Sequence, residues 1–282
     1  MIRKTVIITC LLLFLILTFS CEQGAKKVSL KFKNQPGLSL SYKLSQKHYL
    51  KVLEADSVTK ENSSEAEITV EHNVKRIVDD TTAEIYEILR LEKEVVTTKD
   101  TTMTWDEGKE WARILYVAPN GKIIDIEFSD ETSDYSKEYI KDLYEQGMPV
   151  FPSGEFSPGN SWTQTTKVHL EDDQYDASMK YTVKSFAREK GYDCVLIEYD
   201  GNLIIPIMPY EMDGAIREGV NRVQMDGVMY FAYKEGVIVS IREHWTMEGD
   251  RTVNYKEKNK IKKYSVVMGG DDTQVLVERK MQ

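Results

Sequence analysis

The sequence predicts a mainly-β chain: a curved antiparallel sheet or half-barrel, with one or two helices packed on it. Three observations carry this. Apolar and polar residues alternate with a period of two along most of the chain, as in a sheet with one covered and one wet face. Tight-turn residues separate the alternating runs. The order of those runs repeats once, which points to internal duplication. The size fits, since 282 residues with 41% hydrophobic content are enough for one large all-β domain or two smaller ones.

Residues 1–20 read as a signal peptide. Arg3 and Lys4 precede an apolar run from Val6 to Phe19. As a helix that run would span about 21 Å, short of the roughly 30 Å of a bilayer core and suited to a leader. It ends at Leu17-Thr18-Phe19-Ser20-Cys21. A small residue directly before a cysteine at the close of such a run resembles a bacterial lipobox, although Thr18 stands where leucine is usual. The motif implies cleavage before Cys21 and acylation there, with residues 21–27 as anchor and tether. Plain secretion and an uncleaved anchor are the other readings of the same leader. Seven extended residues reach at most about 25 Å. The domain that follows, 28–282, is therefore expected close to its membrane in the cell envelope, facing the periplasm or the cell exterior.

The first strands are read from Leu38, Leu40, Tyr42 and Leu44 opposed to Ser39, Ser41 and Lys43, then from Ile68, Val70, Val74 and Val78 opposed to Thr69, Glu71, Asn73 and Lys75. Trp162, Val168 and Leu170 oppose Ser161, Thr163, Lys167 and His169 further on. Turns are expected at Asp79-Asp80, Asn120-Gly121, Lys190-Gly191, Asp200-Gly201, Glu235-Gly236 and Glu248-Gly249-Asp250. Asn120-Gly121 is the strongest, with the composition of a type I′ turn. The repeat pairs Pro36-Gly37 with Pro158-Gly159, the apolar run 85–91 with 194–199, and Gly121-Lys122-Ile123-Ile124 with Gly236-Val237-Ile238-Val239. It divides the domain into halves at about 28–132 and 150–268.

Two segments break the alternation. Residues 133–146 place Tyr135, Tyr139, Ile140, Leu143 and Tyr144 at spacings of three and four, and Gly147 follows as a cap. This is a helix between the halves. Residues 204–219 contain Pro206, Pro209, Gly214 and Gly219 beside Ile204, Ile205, Ile207 and Met208. They read as an apolar loop, a short helix or a flap over the sheet.

Charge and motifs exclude several functions. Against 37 basic side chains stand 46 acidic ones, a net of −9, and loss of Arg3 and Lys4 with the leader takes this to −11. Such a surface repels phosphate, so no nucleic-acid partner is expected. Three cysteines cannot build a disulfide framework. Cys10 lies in the leader, Cys21 is assigned to lipid, and Cys194 sits in a core-like run. His48, His72, His169 and His244 form no local metal pair, so no metal or other cofactor is expected. His48 and His72 fall in the apolar phase of their strands. Gly159-Asn160-Ser161-Trp162 is not a nucleophile elbow, and Glu171-Asp172-Asp173 and Gly270-Asp271-Asp272 lack EF-hand spacing. The lysine-rich stretch 256–263 reads as a protected edge strand or as a contact for anionic headgroups.

Val150-Phe151-Pro152 followed by Pro158-Gly159-Asn160-Ser161-Trp162-Thr163, together with the lipobox and the strand pattern, resembles an uncharacterised family of bacterial envelope lipoproteins. The resemblance spans most of the mature chain and implies no activity. The architecture is also similar to periplasmic lipoprotein carriers, in which a curved sheet wraps over helices around an apolar cavity. The expectation is a lipid-anchored, non-catalytic binding or carrier module for a hydrophobic small molecule or lipid. Trp105, Trp111, Ile205, Ile207, Met208 and Phe231 are the candidate ligand-lining residues. The alternative is a structural or assembly partner of other envelope proteins. Catalysis would require His48 or His72 to meet a carboxylate or serine in a cleft.

Overall fold

The computed structural model describes residues 26–281 apart from 56, 80, 106–107, 129–136, 171–172, 213–214 and 256–259. Cys21, the leader and the first turn of the expected helix lie outside the described residues. The strands are β1 (Leu38–Glu54), β2 (Ser57–Val78), β3 (Thr82–Thr98), β4 (Thr102–Trp105), β5 (Lys109–Val117), β6 (Ile123–Phe128), β7 (Ser161–Leu170), β8 (Asp173–Glu189), β9 (Tyr192–Met212), β10 (Ala215–Ala232), β11 (Val237–Tyr255) and β12 (Lys260–Met281). The helix α1 (Lys137–Gly147) separates β6 from β7. It ends at the glycine the spacing marks as its cap. None of the described helical residues forms a helix long and apolar enough to cross a membrane.

All strands belong to one antiparallel sheet in the order β6-β5-β3-β2-β1-β12-β11-β10-β9-β8-β7, with the short β4 beside β3. The first half is a meander running from the centre to one edge. The second is a meander running back from the other edge, and β1 pairs with β12 to join them.

The sheet must curve. Its two edge strands are ten steps apart, about 48 Å if flat. Yet α1, only about 16 Å long, packs on both of them. Lys141 Nζ donates to the Ile124 carbonyl of β6 at 3.4 Å, and Gln146 Nε2 to the Lys167 carbonyl of β7 at 3.3 Å. Buried Gln164 on β7 fastens the helix end, donating to the carbonyls of Glu145 and Met148 and accepting from the Val150 amide.

The segment ahead of β1 closes one end of the curved sheet. Val28 bridges Phe156, the Phe32 amide donates to the Pro119 carbonyl, and the Lys33 amide donates to the Gly236 carbonyl. Phe32 packs on Phe151 and Phe231 with ring centroids 5.5 and 5.4 Å away. The Pro-to-Trp motif serves this core: Phe151 is 1% exposed, Trp162 stacks on Tyr181 at 5.1 Å, and Asn160 accepts the Val183 amide through its carbonyl. Near this end β9, β10 and β11 are buried on both faces. Cys194, Ala232 and Val239 belong to one core, and Val195, Phe231 and Ile238 to the other. Burial pushes the Cys194 thiol up to about 11, as befits a packing residue.

Several turn expectations change. The loop at Asn120-Gly121 does join β5 to β6, but Asn120 is not at positive φ; Gly121 alone is, at 91°. Its amide donates to the Ala118 carbonyl, the pattern of a longer loop closed by a left-handed glycine. Among the described residues, the turn with two successive positive-φ residues is Lys190-Gly191, at 49° and 88°. Asp200-Gly201 and Glu248-Gly249-Asp250 are not turns; they lie inside β9 and β11. A Cβ on Gly201 would stand 2.1 Å from Met179 Sδ, so the glycine there permits close cross-strand packing.

Among residues 204–219, the described 204–212 and 215–219 are likewise no loop, helix or flap. They form the ends of the long β9–β10 hairpin. Pro206 is tolerated because β8 pairs with β9 only as far as Asn202, leaving β9 an edge at that height. Pro209 falls at the irregularity between Arg217 and Gly219. The lysine stretch also differs. β12 lies mid-sheet, and only Lys260–Tyr264 extend past the end of β1 to pair with β11 alone.

Gly236 offers a test of the closed end. Its φ is 69°, and a Cβ there would sit 2.4 Å from the Lys33 nitrogen. The left-handed backbone alone costs a non-glycine residue roughly 1–2 kcal/mol. We expect Gly236→Ala to lose at least that in urea unfolding and to open residues 28–33 to proteolysis. Wild-type protection of that segment would discount its role as a plug.

Candidate ligand cavity

Register builds the site. On β2, β3 and β5, His72 lies opposite Glu87, and Glu87 opposite Arg113. They form one cross-strand rung on a single face of the sheet. The rung on the side of the closed end is Val74, Ile85 and Leu115; the rung on the other side is Val70, Leu89 and Trp111. One charged row is therefore set into an apolar wall. Leu40 and Tyr42 of β1 continue that wall. Ile140, Tyr144 and Gly147 of α1, spaced four and three apart, face it from across the gap. Between them lies a cavity of about 330 Å³.

Glu87 is the hub, with 2% of its surface exposed. His72 Nε2 lies 2.7 Å from its Oε2 and Arg113 Nε donates to Oε1 at 2.6 Å. The Tyr144 hydroxyl donates to the same Oε1. The Arg113 guanidinium lies 4.6 Å from the centre of the Tyr144 ring, a cation–π contact. Burial alone would raise the Glu87 carboxyl. The bond and charge of His72, the charge of Arg113 and the Tyr144 bond outweigh it and hold the group down at about 2. Burial, with Glu87 beside it, pushes the Tyr144 hydroxyl well above the phenol range. The arrangement fixes α1 over the cavity through a side chain of β3.

A second cavity of about 210 Å³ lies on the other side of α1, lined by Val168, Met179, Leu203, Ile205 and Met225, with Gln146 of the helix. Among the described residues, no group of three or more His, Cys, Asp or Glu side chains is placed to hold a metal ion.

The six residues singled out from sequence are not brought together. Ile205 is 6% exposed and lines the second cavity. Ile207 is partly buried beyond it, and the Met208 side chain lies outside the described residues. Phe231 is fully buried and fills the second core, 4.7 Å from Phe151. Trp111 is 45% exposed, two residues from Arg113 on the same face of β5, at the rim of the larger cavity. Trp105 is exposed on β4 opposite Glu94. His48 also meets a carboxylate, Asp272, at 3.0 Å, but on the more open part of the wall. Glu87 and Arg113 are the residues that sequence reasoning missed. Their signal was present: each occupies the apolar phase of its strand, between Ile85 and Leu89 and between Trp111 and Leu115.

No family model and no curated protein matches the chain. A solved structure titled "Lipid-protein interactions in lipovitellin" is similar in fold, with a TM-score of 0.54 at 10% sequence identity. The match covers 88% of this chain and 26% of that one, so this chain spans about a quarter of the length of its structural neighbour.

Proposed function

We propose that the protein is a lipid-anchored component of the cell envelope that binds or carries a hydrophobic ligand without catalysis. The observation that carries the reading is the preformed cavity of about 330 Å³ between sheet and helix. It has the apolar walls and few convergent polar groups of a small-molecule site. The fold shared with a chain described by its lipid–protein interactions supports the same reading. The anchor rests on the leader and Cys21, and the envelope family on the motif at residues 150–163. His72 meets a carboxylate, as catalysis would require. Glu87, however, is already engaged by three donors, and among the described residues no Ser, Thr, Cys or Lys side chain lines the cavity. Both facts favour binding over chemistry.

The test is uptake by the full-length chain in nanodiscs of a fluorescent hydrophobic probe, with organic extraction and mass spectrometry of whatever copurifies. Saturable binding of one probe per chain is expected. Val70→Phe, which adds bulk to the cavity wall, should weaken it at least tenfold while leaving the unfolding midpoint unchanged or higher. Equal uptake by the variant would place the probe elsewhere and remove the reading. The second reading, an assembly partner, draws on Met103, Trp105 and Trp111, all more than 40% exposed. It would be favoured if in-envelope crosslinks from Trp105 repeatedly captured the same protein while the cavity stayed empty.

A further inference from the structure

We propose that the ligand of the larger cavity is a single-chain amphiphile with a carboxylate head, the head on Arg113 and the chain running to the closed end. This rests on the binding function proposed above and names the ligand class. The sign of the head follows from the charged rung. Glu87 has its oxygens engaged by His72, Arg113 and Tyr144, so it has little to offer a cation. Arg113, facing the same space, would repel one. A guanidinium carries five N–H donors in a planar fork. Glu87 takes the Nε donor, and the side chain retains 17% exposure on the cavity wall. A carboxylate matches that fork.

The alternative of a purely apolar ligand is disfavoured by the same rung. It would shut Arg113 and His72 away from water and return no hydrogen bonds, which costs free energy. An anionic head replaces the lost water.

The dimensions set the chain. From Arg113 to Val117 the wall of β5 runs four residues, about 13 Å. Phe32, Ile123 and Val237 close it beyond. A water takes about 30 Å³ of liquid and a methylene is of similar size, so the cavity has room for on the order of ten chain atoms. One medium-length chain fits that space.

The test is displacement of the hydrophobic probe from the full-length chain in nanodiscs, with empty nanodiscs as the partition control. Four competitors share one chain length: decanoate, 1-decanol, methyl decanoate and decyltrimethylammonium. Decanoate is expected to compete at least tenfold better than the other three. Arg113→Met should bring decanoate down to the level of decanol. Should that variant not fold, the wild-type series decides alone. If all four compete alike, or the cation competes best, the assignment of the head is overturned while the cavity remains a hydrophobic site. If the probe itself does not bind, the binding function falls and this inference falls with it.

Discussion

Glu87→Ala will destabilise the protein by about 3–5 kcal/mol, the usual result of breaking a buried ion pair from one side. The loss is large because three partners converge on one carboxylate that is 2% exposed. Without it, the Arg113 guanidinium stays on an apolar wall with its Nε donor unpaired, and Tyr144 no longer ties α1 to β3. Glu87→Gln keeps the shape and removes the charge, so it should lose less. Urea unfolding at neutral pH measures both. A loss below about 1 kcal/mol for the alanine variant would mean that the rung adds little to stability.

The same group dictates a pH dependence. Its carboxyl titrates near 4.5 in the unfolded chain and is held at about 2 in the folded one. The unfolded chain therefore takes up the proton first as pH falls. The stabilisation from Glu87 is complete above the unfolded value, shrinks as pH drops from there toward 2, and is absent below both. The stability difference between wild type and Glu87→Gln should close across that window. A difference that stays constant from pH 5 to pH 2 would show that the charge of Glu87 is not what the rung uses.

Phe231→Ala is expected to cost about 3–5 kcal/mol as well, through a cavity rather than a charge. Phe231 is fully buried on β10, with Phe151 at 4.7 Å and Phe32 at 5.4 Å. Those rings belong to three separated pieces of chain, so the cavity would open where the plug segment meets the sheet. Phe231→Leu, which keeps most of the volume, should cost less. The two variants are compared by urea unfolding and by proteolysis of residues 28–33. If Phe231→Ala loses no more than about 1 kcal/mol, the three rings are not the core that closes this end.

The contrast between turns and rung explains what was legible. Local geometry is written locally, so Lys190-Gly191 and Glu235-Gly236 are turns in sequence and in structure. Asp200-Gly201 carries the same composition and is not a turn, because Met179 on the neighbouring strand needs the space a side chain would fill. Pro206 and Pro209 look like breakers. They remain within β9 because β8 no longer pairs with it at the height of Pro206, and a register irregularity absorbs Pro209. In each case the deciding neighbour is distant in the chain. The candidate residues suffered in the same way. Aromatic and apolar side chains mark both cores and cavities, so Phe231 proved to be packing and Ile205 a wall.

The sequence by itself determined the strand-dominated fold, the helix ending at Gly147 and the inward direction of His72, since all three depend on periods of two and 3.6 residues. It also determined that Glu87 and Arg113 face inward, although a charge in an apolar phase is easily passed over. Only the tertiary structure decided that these residues share one rung and that Tyr144 closes onto it. That meeting depends on the register among β2, β3 and β5, including the irregularity between Val74 and Arg76, and on the curvature that carries both edges of the sheet to a single short helix. A shift of one residue would turn each of these side chains to the opposite face. Register is set by pairing along whole strands, which no local pattern encodes.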